Sequence, residues 1–346
     1  MNIKFTFEQE GSVKLTRRSL MMGAMGSAAL LSLPTRGHSE TTFNFITPFS
    51  FSLSFSSVLY ADAAGYYADE GLAMRLEAGK GAALAAQMTI AGQMDSGRTG
   101  GTNYIVSHVN NGAPLISIAT IAQRSPFFII SSKDNPVQSV TDLEGRTVGM
   151  ATLGGSMEGT LDLMMRRAGI SPQTVNKVKV ADSAASFALI EAGRAGAFIG
   201  NTSSMVIATS ARDDVAAMPI DDGMPGQVYV ARPDQVAENP EKFVSFLRAT
   251  HRAASEIVNT EDLVPILKTI GEKHDVTGLN NLETAQKDLR ANAQNWAAQG
   301  NENLLRNVPE VWERAVELLA GAGLIDRKVP ATQLYTNDLL DQALKA

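Results

Sequence analysis

Gly149-Met-Ala-Thr-Leu-Gly154-Gly155-Ser156 is the stretch whose residue types and spacing come nearest to chemistry. A P-loop reads G-x-x-x-x-G-K-[S/T], and here Gly155 stands at the lysine position. Without that lysine no cation reaches the outer phosphates of ATP. What remains is a strand, a glycine turn and a helix start. They offer bare backbone N–H groups and a positive helix end to a small anionic or polar group. Gly155, Ser156 and Met157 are the candidate contacts of this cradle. Ser156 is expected to cap the following helix, and Glu158 to favour its dipole.

Arg98 is the sharpest single candidate. In Gly97-Arg98-Thr99-Gly100-Gly101-Thr102 it follows a predicted buried strand and precedes a helix capped by Thr102. A guanidinium beside free N–H groups suits a carboxylate or sulfonate, or else an internal salt bridge. Thr99 and Thr102 are candidates with it, and Arg124 follows the same logic. Lys80 stands between two glycines, an exposed setting. Phe49 and Ser50 follow the first strand, and the run Phe49, Phe51, Phe55 fits an aromatic cleft wall or core packing. Asn201, Thr202 and Gln227 complete the set of expected ligand contacts.

No catalytic set emerges. Gly155-Ser156-Met157-Glu158-Gly159 places serine directly after glycine, which is not a nucleophile elbow. The chain has no cysteine, so it has no disulfide, thiolate metal site or cysteine nucleophile. Its 4 histidines are scattered, and neither a metal nor another cofactor is expected.

These residues need a frame of strands and helices. From residue 42 to about 230 short apolar runs alternate with helical patterns, the mark of α/β architecture with mostly parallel strands. Strands are predicted at 43–47, 74–77, 94–97, 116–121, 127–131, 147–151, 177–180, 197–199 and 227–231. Helices are predicted at 54–67, 82–91, 102–111, 156–168 and 183–192, then at 240–259, 282–298 and 309–322. Residues 91–96 and 192–197 echo one another: each is a glycine turn between a helix and a buried strand. Two similar α/β lobes would set their strand-end loops face to face across a cleft.

The N-terminus carries an address. Arg17-Arg18 precedes an uncharged apolar run over 20–33, too short to span a bilayer, and Gly37-His38-Ser39 supplies small residues before a cut. Residues 1–39 are expected to be a removed export signal of the twin-arginine type. The remaining 307 residues hold 25 Lys/Arg against 34 Asp/Glu, a net −9, which argues against nucleic acid. With no cysteine for a lipid anchor, the product is expected to be soluble in the periplasm.

Four segments carry a resemblance: Ala63-Ala-Gly-Tyr-Tyr-Ala-Asp-Glu-Gly-Leu72, Gly92-Gln-Met-Asp-Ser-Gly97, Asp142-Leu-Glu-Gly-Arg-Thr-Val-Gly149 and Leu334-Tyr-Thr-Asn-Asp-Leu339. In this order the chain resembles the periplasmic solute-binding proteins of ABC importers, in the branch of sulfonate, taurine, nitrate and pyrimidine-precursor binders. It departs at Gly196, where the second lobe usually repeats the aspartate. The resemblance implies a two-lobed α/β fold of the type II periplasmic-binding kind. Lobe 1 would hold 40–128 and 226–346, with its helical C-terminal part packed on it; lobe 2 would hold 129–225. Crossover strands at 127–131 and 227–231 would form the hinge. It also implies a monomer without enzymatic activity that hands a small solute to an inner-membrane permease. The alternative is an enzyme on the same fold, of the pyrimidine-precursor synthase type.

Overall fold

The computed structural model describes residues 41–221 and 223–345. The export signal expected over 1–39 lies outside the described residues.

Among the described residues ten strands form the frame: β1 (Thr41–Thr47), β2 (Leu72–Ala78), β3 (Ser96–Gly100), β4 (Ile116–Ala122), β5 (Phe127–Ser132), β6 (Thr147–Met150), β7 (Asn176–Lys179), β8 (Ala197–Asn201), β9 (Val215–Ile220) and β10 (Gln227–Ala231). They make two five-stranded sheets, ordered β2-β1-β3-β10-β4 and β7-β6-β8-β5-β9. The two orders are one pattern used twice. In each sheet the first three strands run parallel, and the fourth lies antiparallel to both neighbours. The echo at 91–96 and 192–197 marks equivalent places. Gly92 and Gly193 both turn with positive φ (72° and 66°) into the middle strands β3 and β8.

The missing aspartate of the second copy has a local explanation. Asp95 accepts the backbone N–H of Asn44 at 2.7 Å and pairs with Lys242 at 2.6 Å. At Gly196 the backbone alone ties the turn down, its N–H donating to Thr147 O at 2.8 Å.

The strands expected as crossovers are full members of their sheets. β5 lies between β8 and β9, and β10 between β3 and β4. The chain passes between the sheets in the short segments before them, after Ala122 and after Ile220. These two segments press backbone to backbone. Gly226 N–H donates to Ala122 O at 2.9 Å, and a Cβ on Gly226 would stand 1.9 Å from Arg124 O. Only glycine fits there.

The C-terminal helices Pro240–Asn259, Leu282–Trp296 and Asp338–Leu344 bury their apolar stripes against the first sheet. Phe246 stacks on Phe43 (4.4 Å between centroids) and Tyr67 (5.7 Å), and all three are buried. Burial of each such ring contributes about 2–3 kcal/mol before conformational entropy is subtracted. The second sheet has its own core around Ile129, Leu143, Val148, Leu161 and Ile199.

Several elements differ from the sequence-based expectation. Predicted helix 54–67 is three pieces, Leu53–Phe55, Ser56–Ala63 and Tyr66–Asp69, the second break falling at Gly65, which adopts φ 80°. Strand β9 and the helices Thr202–Ala211 and Val264–Lys273 were not expected. β9 is an edge strand with buried ends and a partly exposed middle; its apolar run carries Pro219, a residue that reads against a strand and is tolerated at a sheet edge. β3 extends to Gly100, beyond the predicted end at 97.

Candidate ligand cleft

The middle strands of both sheets end at a shared cleft that opens toward solvent. The first lobe supplies Pro48, Phe49, Ser54, Phe55, Ala82, Arg98 and Gln227. The second supplies Phe127, Thr152, Ser156, Met157, Asp182 and Asn201, and Pro126 joins the two. A wider outer groove shares Phe49, Thr152, Asp182 and Asn201 with it, and is further lined by Ser50 and Lys80.

Arg98 is not in a loop; it lies within β3, opposite Tyr229 of β10. It is 3% exposed. Its Nη1 donates to Ser54 O at 2.6 Å, its Nε to Gln227 Oε1 at 3.4 Å, and its guanidinium lies 4.9 Å over the Phe55 ring. No carboxylate pairs with it among the described residues. Burial lowers its pKa to about 10, so it still carries a full charge at neutral pH. The neighbouring amide is also incomplete: Gln227 Nε2 is buried with no partner. A buried cation and an unused donor on one cavity wall suit an anionic or acceptor group.

Strand alternation separates Arg98 from Thr99. Thr99 lines a different hollow, behind β3, together with Gly154 and Gly155. Thr102 is buried and lines neither space; the helix Gly101–Asn111 begins with Gly100 as N-cap, so Thr102 is not the cap. Arg124 is exposed and off the cavity wall, and its carbonyl accepts Asn295 Nδ2 at 3.2 Å. Lys80 and Ser50 are exposed on the outer groove.

The lysine-free loop is rebuilt by the structure. Gly155, not Ser156, is the N-cap of the helix Ser156–Arg167. The Ser156 hydroxyl instead crosses the cleft and accepts the Gly100 N–H at 2.9 Å. Gly154 N–H donates to Glu158 Oε2 at 2.5 Å, so the helix's own carboxylate occupies the turn. Burial works against the Glu158 charge, yet Lys177 at 2.8 Å and this N–H hold it below the usual glutamate range. Gly155 has no room for a side chain, because a Cβ there would lie 2.2 Å from Thr152 Oγ1. The loop is therefore no open cradle. Gly155 faces the rear hollow, while Ser156 and Met157 face Arg98's cavity.

Asn201 caps the helix Thr202–Ala211, its Oδ1 accepting Ser204 N–H at 3.0 Å. Its Nδ2 donates to Asp182 Oδ2 at 2.7 Å, and Ser204 Oγ donates to Asp182 Oδ1 at 2.8 Å. Thr202 is buried away from the cavity, its hydroxyl on Pro126 O at 3.3 Å. Burial raises Asp182 to about 6, against the pull of Ser204 and the Asn201 N–H. Sequence reasoning missed Asp182; its one signal was a place in the loop after the predicted strand 177–180. Of the phenylalanine run, Phe49 and Phe55 reach the cavity, while Phe51 packs on the first lobe's core and, edge-on at 5.7 Å, on His274.

Two lobes of one repeated α/β pattern, closed on a cleft at their strand ends, define the periplasmic-binding-protein architecture. The family model described as NMT1/THI5 like matches residues 52–262, more than half of the chain, and the chain belongs to that family. A riboflavin-binding protein, RibY of Chloroflexus aurantiacus, is 23% identical over 301 residues, covering 84% of this chain and 83% of its own. Among solved structures, the alkanesulfonate-binding protein SsuA from Xanthomonas axonopodis pv. citri bound to MOPS superposes with a TM-score of 0.65 at 13% identity, covering 86% of this chain and 98% of its own. A desulfurization enzyme, DSZB, superposes with a TM-score of 0.56 at 13% identity, covering 88% of this chain and 99% of its own. Binding proteins and an enzyme thus share this fold.

Proposed function

We propose that this chain is the solute-binding component of an ABC-type importer. It is exported to the periplasm, captures a small anionic or polar organic solute in the interlobe cleft, and delivers it to a membrane permease as a monomer. The observation that carries the reading is Arg98: a buried, charged guanidinium on the cavity wall with no carboxylate partner among the described residues. A solute anion would supply the missing charge. Phe49, Phe55 and Met157 would cover the solute's body, and Gln227, Ser156, Asp182 and Asn201 its polar edge. The family and the solute-binding relatives support the same reading.

The enzyme alternative finds little in the cavity. Its two serine hydroxyls, Ser54 and Ser156, contact Ser203 Oγ and the Gly100 N–H rather than a histidine or lysine base. A thermal-shift screen over sulfonates, aromatic carboxylates, nitrate, pyrimidines and riboflavin tests the proposal. At least one class is expected to raise the melting temperature, and a flat response to all five would overturn it.

A further inference from the structure

Deeper along the same interface lies a carboxyl group the solute does not need. Asp288, on the helix Leu282–Trp296 of the first lobe, is 1% exposed. Its Oδ1 accepts Ser203 Oγ of the second lobe at 2.8 Å and Asn292 Nδ2 of its own helix at 2.7 Å. Ser203 Oγ also meets Ser54 Oγ at 3.0 Å, and Ser54 O holds Arg98. Asp288 Oδ2 is buried with no partner.

We propose that Asp288 is the positioning residue of cleft closure: neutral, it stays buried against Ser203 and holds the lobes together; ionised, it favours opening. This goes beyond the solute-binding reading and borrows from it only the motion of two lobes.

The physics follows from the unpartnered oxygen. A carboxylate shut away from water with half its lone pairs unused is costly, and the neutral acid much less so. Separation of the lobes takes Ser203 away and lets water reach the group. Ser203 of the helix Thr202–Ala211 brings Asp288 a hydroxyl rather than a charge, and Ser54 of the turn Leu53–Phe55 connects to it only through Ser203. The charged groups of this network sit one step further: Arg98 on the Ser54 carbonyl, and Asp182 on Ser204. In the closed form burial raises Asp288 to about 7, opposed by Ser203 and Asn292, with no charged side chain contributing. An open, hydrated aspartate returns toward about 4. The closed state therefore binds a proton that the open state lacks. Closure is fully favoured below about pH 4 and loses that advantage as pH rises to about 7.

The chain has no cysteine, so two can be introduced cleanly. Glu77→Cys and Arg194→Cys put spin labels on exposed positions of the two lobes. Pulsed electron–electron distance measurements at pH 5 and pH 8.5, with no solute added, read the closed and open populations. The closed-to-open ratio is expected to fall roughly ten- to hundredfold at the higher pH. Asp288→Asn should hold the short distance at both. A wild-type distribution identical at both pH values, or an Asp288→Asn variant that keeps the pH response, would overturn the proposal. If that variant does not fold, carbon-13 titration of the Asp288 carboxyl in wild-type protein decides: a midpoint in the ordinary aspartate range refutes the assignment. A failed solute screen leaves these outcomes standing, and a missing pH response leaves the solute reading standing.

Discussion

Glu158 Oε2 accepts the N–H of Gly154 at 2.5 Å, and that contact turns a phosphate-type loop into a self-occupied helix end. A donor that would face a ligand anion instead faces a carboxylate four residues on, itself held by Lys177 from β7. Positive charge for a ligand is thereby left to the opposite lobe, at Arg98.

Glu158→Gln should weaken the second lobe by about 1 kcal/mol at pH 7, the scale of one charge-assisted bond on a side chain one-fifth exposed. The folded pKa of Glu158 is depressed, so its contribution is present above the ordinary value of 4.5 and lost as pH falls through the folded value. Urea midpoints of wild type and variant should differ at pH 7 and converge once pH falls below the folded value.

Arg98→Ala should abolish binding of an anionic solute while the chain still folds. A loss of about 30-fold or more, ~2 kcal/mol, is expected for an ion contact of this burial. Arg98→Lys should recover part of it, because lysine keeps the charge and loses the fork. Titration calorimetry with the screen's best hit measures both, and unchanged affinity in Arg98→Ala would make the residue structural.

Gly155→Ala should destabilise the loop, because the new methyl meets Thr152 Oγ1 at 2.2 Å. The double variant Gly155→Ala, Thr152→Ala should regain most of the loss. A thermal-melt double-mutant cycle is expected to give a coupling of about 1 kcal/mol or more, and additivity would remove this reason for the glycine.

Gly226→Ala should cost more than ~3 kcal/mol or prevent folding, because its methyl would stand 1.9 Å from the Arg124 carbonyl and no side-chain rotation relieves backbone contact. Gly321→Ala is the control: nothing lies within 4 Å of that Cβ, and it should be neutral or stabilising by up to ~1 kcal/mol. Denaturant midpoints compare the two.

What the residues determined by themselves was local. The alternation of apolar runs and helical patterns placed most of the strands, and the glycine turns at 92 and 193 marked the doubled plan of the fold. Both follow from backbone sterics and side-chain periodicity, which act over a few positions. The three-dimensional packing decided which charges meet. Lys177 reaches Glu158 because β7 pairs beside β6, and Arg98 faces the cavity while Thr99 does not because β3 runs on to Gly100. Asp182 and Asp288 become site and interface groups through helices the sequence did not announce or whose partner lies about 85 residues away. Burial and long-range pairing set the energy of those groups, and neither is written in the spacing of neighbouring residues.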